Sequence, residues 1–387
     1  MSKTPNTEIL PIDSQEDLST NPSGNRHFRD VLQANLSRRT VVKGTLASAA
    51  ATAFLSPAAA LADHDHRKYR RRRKLVNFRP VSIAQGSADN TMPTISEDYE
   101  YQVLIPWGTP IEPGATEEYT GDPDTRPTSK QARQQIGIGH DGMFFYPEST
   151  RNGRRKSSSK GMLCINHEFG TNPHVLGKSF PEDIEDVRLS QHVHGVSVVA
   201  LEKKRRGRWE VVSSPNSRRI HVNTPVEFSG PAAGSDLLEN MAGNVPLGTV
   251  NNCGSGPTPW GTYLTCEENF NGYFGWTDPA YIPTEPQNRY GFGENGFGYG
   301  WHVFDARFDI SNPEFSNESN RFGWVVEIDP YDGTQKPVKR TALGRFKHEA
   351  IAIAETRGRG SRIAAYMGDD QRFDYCYKYV SDMPWKA

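Results

Sequence analysis

Cys253 is the residue whose chemistry is hardest to explain as packing. It stands in the string Asn251-Asn252-Cys253-Gly254-Ser255-Gly256-Pro257-Thr258-Pro259-Trp260-Gly261-Thr262. Glycines beside a thiol let the backbone approach a ligand closely. The composition puts Cys253 in a Gly/Pro-rich loop rather than in a core strand. A thiolate there serves as a metal ligand or as a nucleophile, and a buried apolar cysteine is the plain alternative. No closely spaced cysteine pair supports a zinc knuckle. Carboxylates recur at the ends of short apolar runs. Glu168 closes Asn166-His167-Glu168, Glu267 and Glu268 follow Gly261 to Thr265, and Glu349 follows Phe346-Lys347-His348. Asp369 and Asp370 precede Gln371-Arg372. Oxygen-rich clusters suit hard cations such as calcium, whereas iron accepts thiolate and carboxylate together. An arginine such as Arg372 suits bidentate binding of phosphate. Each string alone is ordinary turn or hydrogen-bonding scaffold. Together they propose one site with several carboxylates, one thiolate and one arginine.

These residues need short strands to present them. Helical periodicity is scarce, and apolar or alternating runs are bounded by turn residues. Strands are expected over 161–165, 194–201, 209–212, 261–265, 322–329, 349–355, 362–368 and 373–380. A charged turn at 203–208 and a Pro-Tyr-Asp-Gly turn at 330–333 separate some of them. Neighbouring side chains on a strand face opposite ways, so only one of Glu267 and Glu268 is expected to reach a common site. Many short strands at near-regular spacing predict an all-β sandwich, barrel or propeller. A propeller suits the length and the Gly/aromatic spacing, although no repeat of forty to fifty residues selects it. Residues 111–135 read as a long polar loop. Residues 270–300 read as an ordered aromatic loop over a rim, of a length that usually serves function.

The 387 residues include 35 Gly and 27 Pro, 35% apolar and 24% charged residues. That balance excludes a mostly disordered chain and a polytopic membrane protein. A net charge of −1 argues against a dedicated nucleic-acid partner. Ser37-Arg38-Arg39-Thr40-Val41-Val42-Lys43 precedes an uncharged, Ala-rich run to Ala62. Paired arginines, a mild apolar stretch and small residues at its exit read as a twin-arginine export signal. Residues 1–62 are therefore expected to be a signal with a disordered extension, and 63–387 the exported domain, periplasmic or secreted. The run is broken by Ser, Thr and Pro57, so no permanent membrane anchor is expected. The basic run Arg67 to Lys74 reads as a solvated terminus. The last strand run stops seven residues before Ala387, which suggests a chain cut short, with an open edge near 373–380.

The strings NHE at 166–168, HGVSVV at 194–199, RRI and TP within 218–225, NNCGSGPTPWGTYLTCEENF at 251–270, GRFKHEAIAI at 344–353 and YMGDDQRFDYCYKYV at 366–380 resemble the PhoX-type alkaline phosphatases. The resemblance runs from about residue 75 to the end. It implies a six-bladed β-propeller, incomplete in this chain, that hydrolyses phosphomonoesters at a cluster of ferric iron and calcium. It implies that Cys253 ligates iron and that Glu168, Glu268 and Glu349 are acidic ligands, with Glu267 the less favoured neighbour. Asp369 and Asp370 match a later acidic pair and Arg372 an adjoining arginine. Asp141, in Gly139-His140-Asp141-Gly142, falls where some relatives carry Asn-Asn-Asp. The expected partners are a small phosphomonoester and the twin-arginine machinery, and the expected state is a monomer. Two rivals stay open: a non-catalytic, calcium-stabilised exported propeller that binds a partner, and a calcium-dependent propeller lactonase or phosphotriesterase. Neither has a use for the thiolate.

Overall fold

The computed structural model describes residues 79–81, 94–115, 118–149, 156–354 and 360–385. The expected export signal over 1–62 and the basic run at 67–74 lie outside them. The chain divides into two units, Met1–Gln102 and Val103–Ala387. In the described part of the first, Arg79 pairs with Glu97 at 2.6 Å and with Asp98 at 3.7 Å. No helix among the described residues is long and apolar enough to cross a membrane.

The second unit carries three sheets. The first contains β1 (His140–Ser149), β2 (Lys156–His167), β3 (Gly195–Lys203) and β4 (Trp209–Val211) in that order, with β5 (Arg218–Ile220) also on β3. The second runs β6 (Glu227–Ser229), β10 (Val338–Arg340), β9 (Val325–Ile328), β8 (Tyr263–Glu267) and β7 (Asn252–Pro257). The third is the meander β11 (His348–Ile353), β12 (Arg362–Asp369) and β13 (Cys376–Pro384). Pairing is antiparallel except between β6 and β10. Strand β7 packs between β1 and β11, so the three sheets meet through these edge strands. The described residues close no ring of sheets.

The strands expected from the alternating runs all form, with shifted ends. Two expectations fail. Residues 252–257 are a strand, not a loop, and Cys253 is only 6% exposed on it. Its glycines bring sheets together: a Cβ on Gly254 would lie 1.9 Å from the Glu349 carbonyl oxygen, and one on Gly256 2.1 Å from that of Ile351. Glycine here serves a close approach of two backbones, which composition alone reads as a turn. Residues 270–300, expected over a rim, instead build a core. Phe270, Tyr273, Phe274, Phe292 and Tyr299 pack with Trp301, Phe308 and Phe322. The segment turns through short helical pieces at Phe270–Tyr273 and Glu285–Tyr290, so its rings face inward without a sheet. Residues 111–135 are irregular apart from Pro123–Thr125 and Ser129–Ala132.

A ten-residue helix, Ile184–Val193, escapes the sequence reading. Its signals were local: Asp183 caps it by accepting from Asp186 N at 2.9 Å, and two acids sit in its first turn, where the helix dipole favours them. It runs directly into β3. His194 at that junction is fully buried among Tyr273, Tyr299 and Trp301 and is hydrogen-bonded to Ser190 O at 2.6 Å.

Candidate metal centre

Five acidic donors converge where the three sheets meet. Donor atoms of Asp141, Glu168 and Cys253 lie within 4.8 Å of one another, and so do those of Cys253, Glu268 and Glu349. Cys253 is common to both groups. Each donor comes from a strand end. Asp141, Cys253 and Glu349 are the second residues of β1, β7 and β11, while Glu168 and Glu268 directly follow β2 and β8. In each hairpin the start of one strand faces the end of its partner: His140 pairs with His167, Asn252 with Glu267, and His348 with Asp369.

The edge strands β1, β7 and β11 share a second feature. Register slips between His140 and Met143, between Asn252 and Ser255, and between His348 and Ile351. Asp141, Cys253 and Glu349 each sit inside one of these irregularities. A bulge bends its strand and re-aims the extra side chain. Three bulges thus turn three donors toward one point, something strict alternation along a strand does not do.

The electrostatics follow from crowding. Burial raises the Glu168 carboxyl to about 7, helped by Asp141 and Glu349. Burial raises Glu268 to about 9, with further contributions from a hydrogen bond to Asp370 and the Glu349 charge. The Cys253 thiol is pushed far up by burial, then by Asp141, Glu268 and Glu168. It donates to Glu349 Oε1 at 3.4 Å. After burial, the groups that raise these three residues are the other donors of the cluster and Asp370. Like charges held this close disfavour ionisation unless a cation compensates. Cys253 and Glu268 form a buried floor, Asp141 and Glu168 are half-buried, and Glu349 is exposed, so the cluster opens to solvent on the β11 side.

The other sequence-proposed residues divide. Glu267 is turned away, as alternation requires. It is fully buried in an ion pair with Lys339 at 2.7 Å, and its second oxygen accepts from Gly323 N and Trp324 N at 3.0 Å each. That carboxylate is already satisfied, so its assignment as a ligand is corrected. Asp370 reaches the edge of the cluster through its hydrogen bond to Glu268. Asp369 belongs to neither group. It lines a separate cavity of about 360 Å³ with Arg289, Phe346, Met367 and Tyr377, where burial and Asp374 raise its carboxyl to about 6. Arg372 is exposed on the turn between β12 and β13.

Asn251, at the start of the Cys253 string, holds two donor segments. Its φ of 50° is left-handed, a conformation asparagine tolerates. Its carbonyl accepts from Glu268 N at 3.0 Å and its side chain from Asn269 N at 2.6 Å. Its amide donates to Tyr273 Oη at 3.1 Å, and that hydroxyl donates to Glu168 O at 3.2 Å.

A thiol and four carboxyls in two overlapping groups make a donor set that fits a cation site, and the orphaned acidity fits it too. The family model described as alkaline phosphatase PhoX matches residues 77–387. The solved structure of Pseudomonas fluorescens PhoX in complex with vanadate, a transition state analogue, is 40% identical with a TM-score of 0.69, covering 76% of this chain and 49% of that one. The chain therefore spans about half the length of that solved relative. No curated protein matches it significantly. The resemblance carried by the cysteine string and the acidic motifs is borne out: the chain belongs to the PhoX alkaline phosphatase family.

Proposed function

We propose that this protein is a metal-dependent phosphatase that releases phosphate from small phosphomonoesters. The observation that carries the reading is the convergence of Asp141, Glu168, Cys253, Glu268 and Glu349 from three sheets onto one open cluster. Those five side chains would hold the cations. The shared thiolate favours iron and the carboxylates suit iron or calcium, and a calcium-only site would leave Cys253 without a purpose. Bound cations supply neutralisation of phosphoryl oxygens and activation of water for in-line displacement. The chain's own part is to fix that geometry. Glu268 and Cys253 form the floor, Glu349 stands at the solvent side, and Asp370 adjoins Glu268 through a hydrogen bond. Arg372, on the turn just beyond, is our choice for the group that holds the remaining phosphate oxygens by charge-assisted hydrogen bonds.

Three sheets joined through the edge strands β1, β7 and β11 support a propeller as the architecture of the whole protein. The paired arginines at 38 and 39 support export by the twin-arginine route to the periplasm or beyond, acting there as a monomer without nucleic acid. The test is steady-state hydrolysis of p-nitrophenyl phosphate by protein purified from its own cells. Turnover should disappear on chelation, return with iron and calcium, and be inhibited competitively by vanadate. Undiminished turnover after complete metal removal would falsify the proposal.

A further inference from the structure

Three of the five donors belong to strands that one buried amide ties together. Asn166 is fully buried at the end of β2, two residues before Glu168. Its Nδ2 donates to Cys253 O at 2.6 Å and to Gly254 O at 3.0 Å on β7. Its Oδ1 accepts from Tyr263 Oη and from Thr265 Oγ1 on β8, both at 2.8 Å. A side-chain amide has two donor hydrogens and an acceptor oxygen with two lone pairs. All four are used here, and all partners lie on strands other than its own. Tyr263 Oη also lies 2.8 Å from Gly142 O, next to Asp141 on β1, and shares its single proton between that carbonyl and the amide oxygen. The packing is built around the amide: a Cβ on Gly142 would come within 2.7 Å of Cys253 O and 3.0 Å of Asn166 Nδ2.

We propose that Asn166 is a positioning residue: it sets the spacing of β2, β7 and β8, and hence of Glu168, Cys253 and Glu268. The proposal rests on the reading of the cluster as a metal site. Only a planar group with donors on one side and an acceptor on the other meets two carbonyls and two hydroxyls at once. Aspartate would set a carboxylate against two carbonyl oxygens. Leucine would take the amide hydrogens from the Cys253 and Gly254 carbonyls and the acceptor from the Thr265 hydroxyl. Groups that orient ligands without touching the metal commonly change metal affinity by about 10- to 100-fold.

The test loads metal-free full-length protein with Co²⁺ and follows the near-ultraviolet band that appears only when a thiolate binds the ion. The variants are Asn166→Ala and, as a control for lost stability, Asn240→Ala. Asn240 is also buried and hydrogen-bonded, to Glu318 at 2.7 Å and from Asn317 N at 3.0 Å, away from every donor. Asn166→Ala should weaken Co²⁺ binding about tenfold or more, while Asn240→Ala, with a comparable fall in Tm, keeps the band. Equal affinities in the wild type and Asn166→Ala overturn the proposal. If the wild type itself gives no thiolate band, it is the metal reading that fails. Asn166 is then judged by iodoacetamide labelling of Cys253, read by peptide mass spectrometry: faster labelling in Asn166→Ala alone upholds the positioning role and unchanged labelling overturns it. Should Asn166→Ala not fold, Tyr263→Phe removes one bond to the amide and keeps the ring. It should weaken Co²⁺ about threefold, and no change in it overturns the proposal.

Discussion

Cys253 decides between the readings because no calcium-only function needs a thiolate. Replacing its sulfur by oxygen changes little volume but removes the soft donor common to both ligand groups. Cys253→Ser should therefore lower metal affinity by more than about tenfold while leaving Tm of the metal-free protein nearly unchanged. Competition titration against a coloured chelator, beside a melt, checks both halves. The raised carboxyls give a second prediction with a definite sign. Glu168 and Glu268 titrate near 7 and 9 in the folded chain, against 4.5 for the free group. Between pH 4.5 and about 9 the metal-free folded state thus holds more protons than the unfolded state, so its stability falls as pH rises through that window. Metal displaces those protons, so metal-induced stabilisation should grow over the same range. Melts at pH 5, 7 and 9 with and without metal test this, and a metal-free Tm that rises toward pH 9 would contradict the crowding described here. At this level the sequence was largely legible. Alternation required only one of Glu267 and Glu268 to reach a common site, while the family resemblance chose Glu268 and named Asp141, Glu168 and Glu349, whose donor atoms lie together here. It did not separate Asp369 from Asp370, because Asp369 ends β12 while Asp370 stands in the turn that follows, tied to Lys347 O, and no local pattern records that.

Strands were legible where apolar runs were long, as over β3 and β12, and their existence follows from burial. What local pattern could not reveal was the set of bulges at the starts of β1, β7 and β11. Each is defined by its register against the next strand rather than by its own residues, so Cys253 among glycines and prolines read as a loop. The same glycines make a test. On Gly254 an added methyl would lie 1.9 Å from Glu349 O, whereas on Gly368 it would meet nothing within 4 Å. Gly254→Ala should separate β7 from β11, cost about 1–3 kcal/mol and lower metal affinity. Gly368→Ala should be tolerated in both respects, and similar losses in the two variants would remove the argument from close approach. The second sheet depends on the Lys339–Glu267 pair, both members fully buried, with Lys339 Nζ also donating to Arg321 O at 2.6 Å. Its desolvation is offset only while both charges are present. Lys339→Met should cost about 3–5 kcal/mol, and adding Glu267→Gln should recover much of it. Denaturant unfolding of the single and double variants measures this. A single-variant loss below about 1 kcal/mol would mean that Glu267 is not held as an ion.

No sheet builds the centre alone. Asp141 and Glu168 belong to the first, Cys253 and Glu268 to the second, and Glu349 to the third. Metal binding therefore reports the assembly of all three, and a ligand bound only by the folded state stabilises it by about 2.7 kcal/mol at a hundred times its Kd. The aromatic core from Phe270 to Phe322 supports that assembly from the side of the second sheet. The sequence misplaced this core because its rings are set by short turns rather than by periodic elements. Family membership was legible because the donor strings are long and specific, whereas sheet closure was not, since it depends on pairings that no single string encodes. The chain spans about half of the solved PhoX it resembles, so the central claim is best tested at the cluster itself. Crystals of the purified protein, measured across the iron edge, should give an anomalous peak bonded to Cys253 Sγ and flanked by carboxylate oxygens of Asp141, Glu168, Glu268 and Glu349. Protein that hydrolyses p-nitrophenyl phosphate while showing no anomalous density among those five side chains would contradict the account.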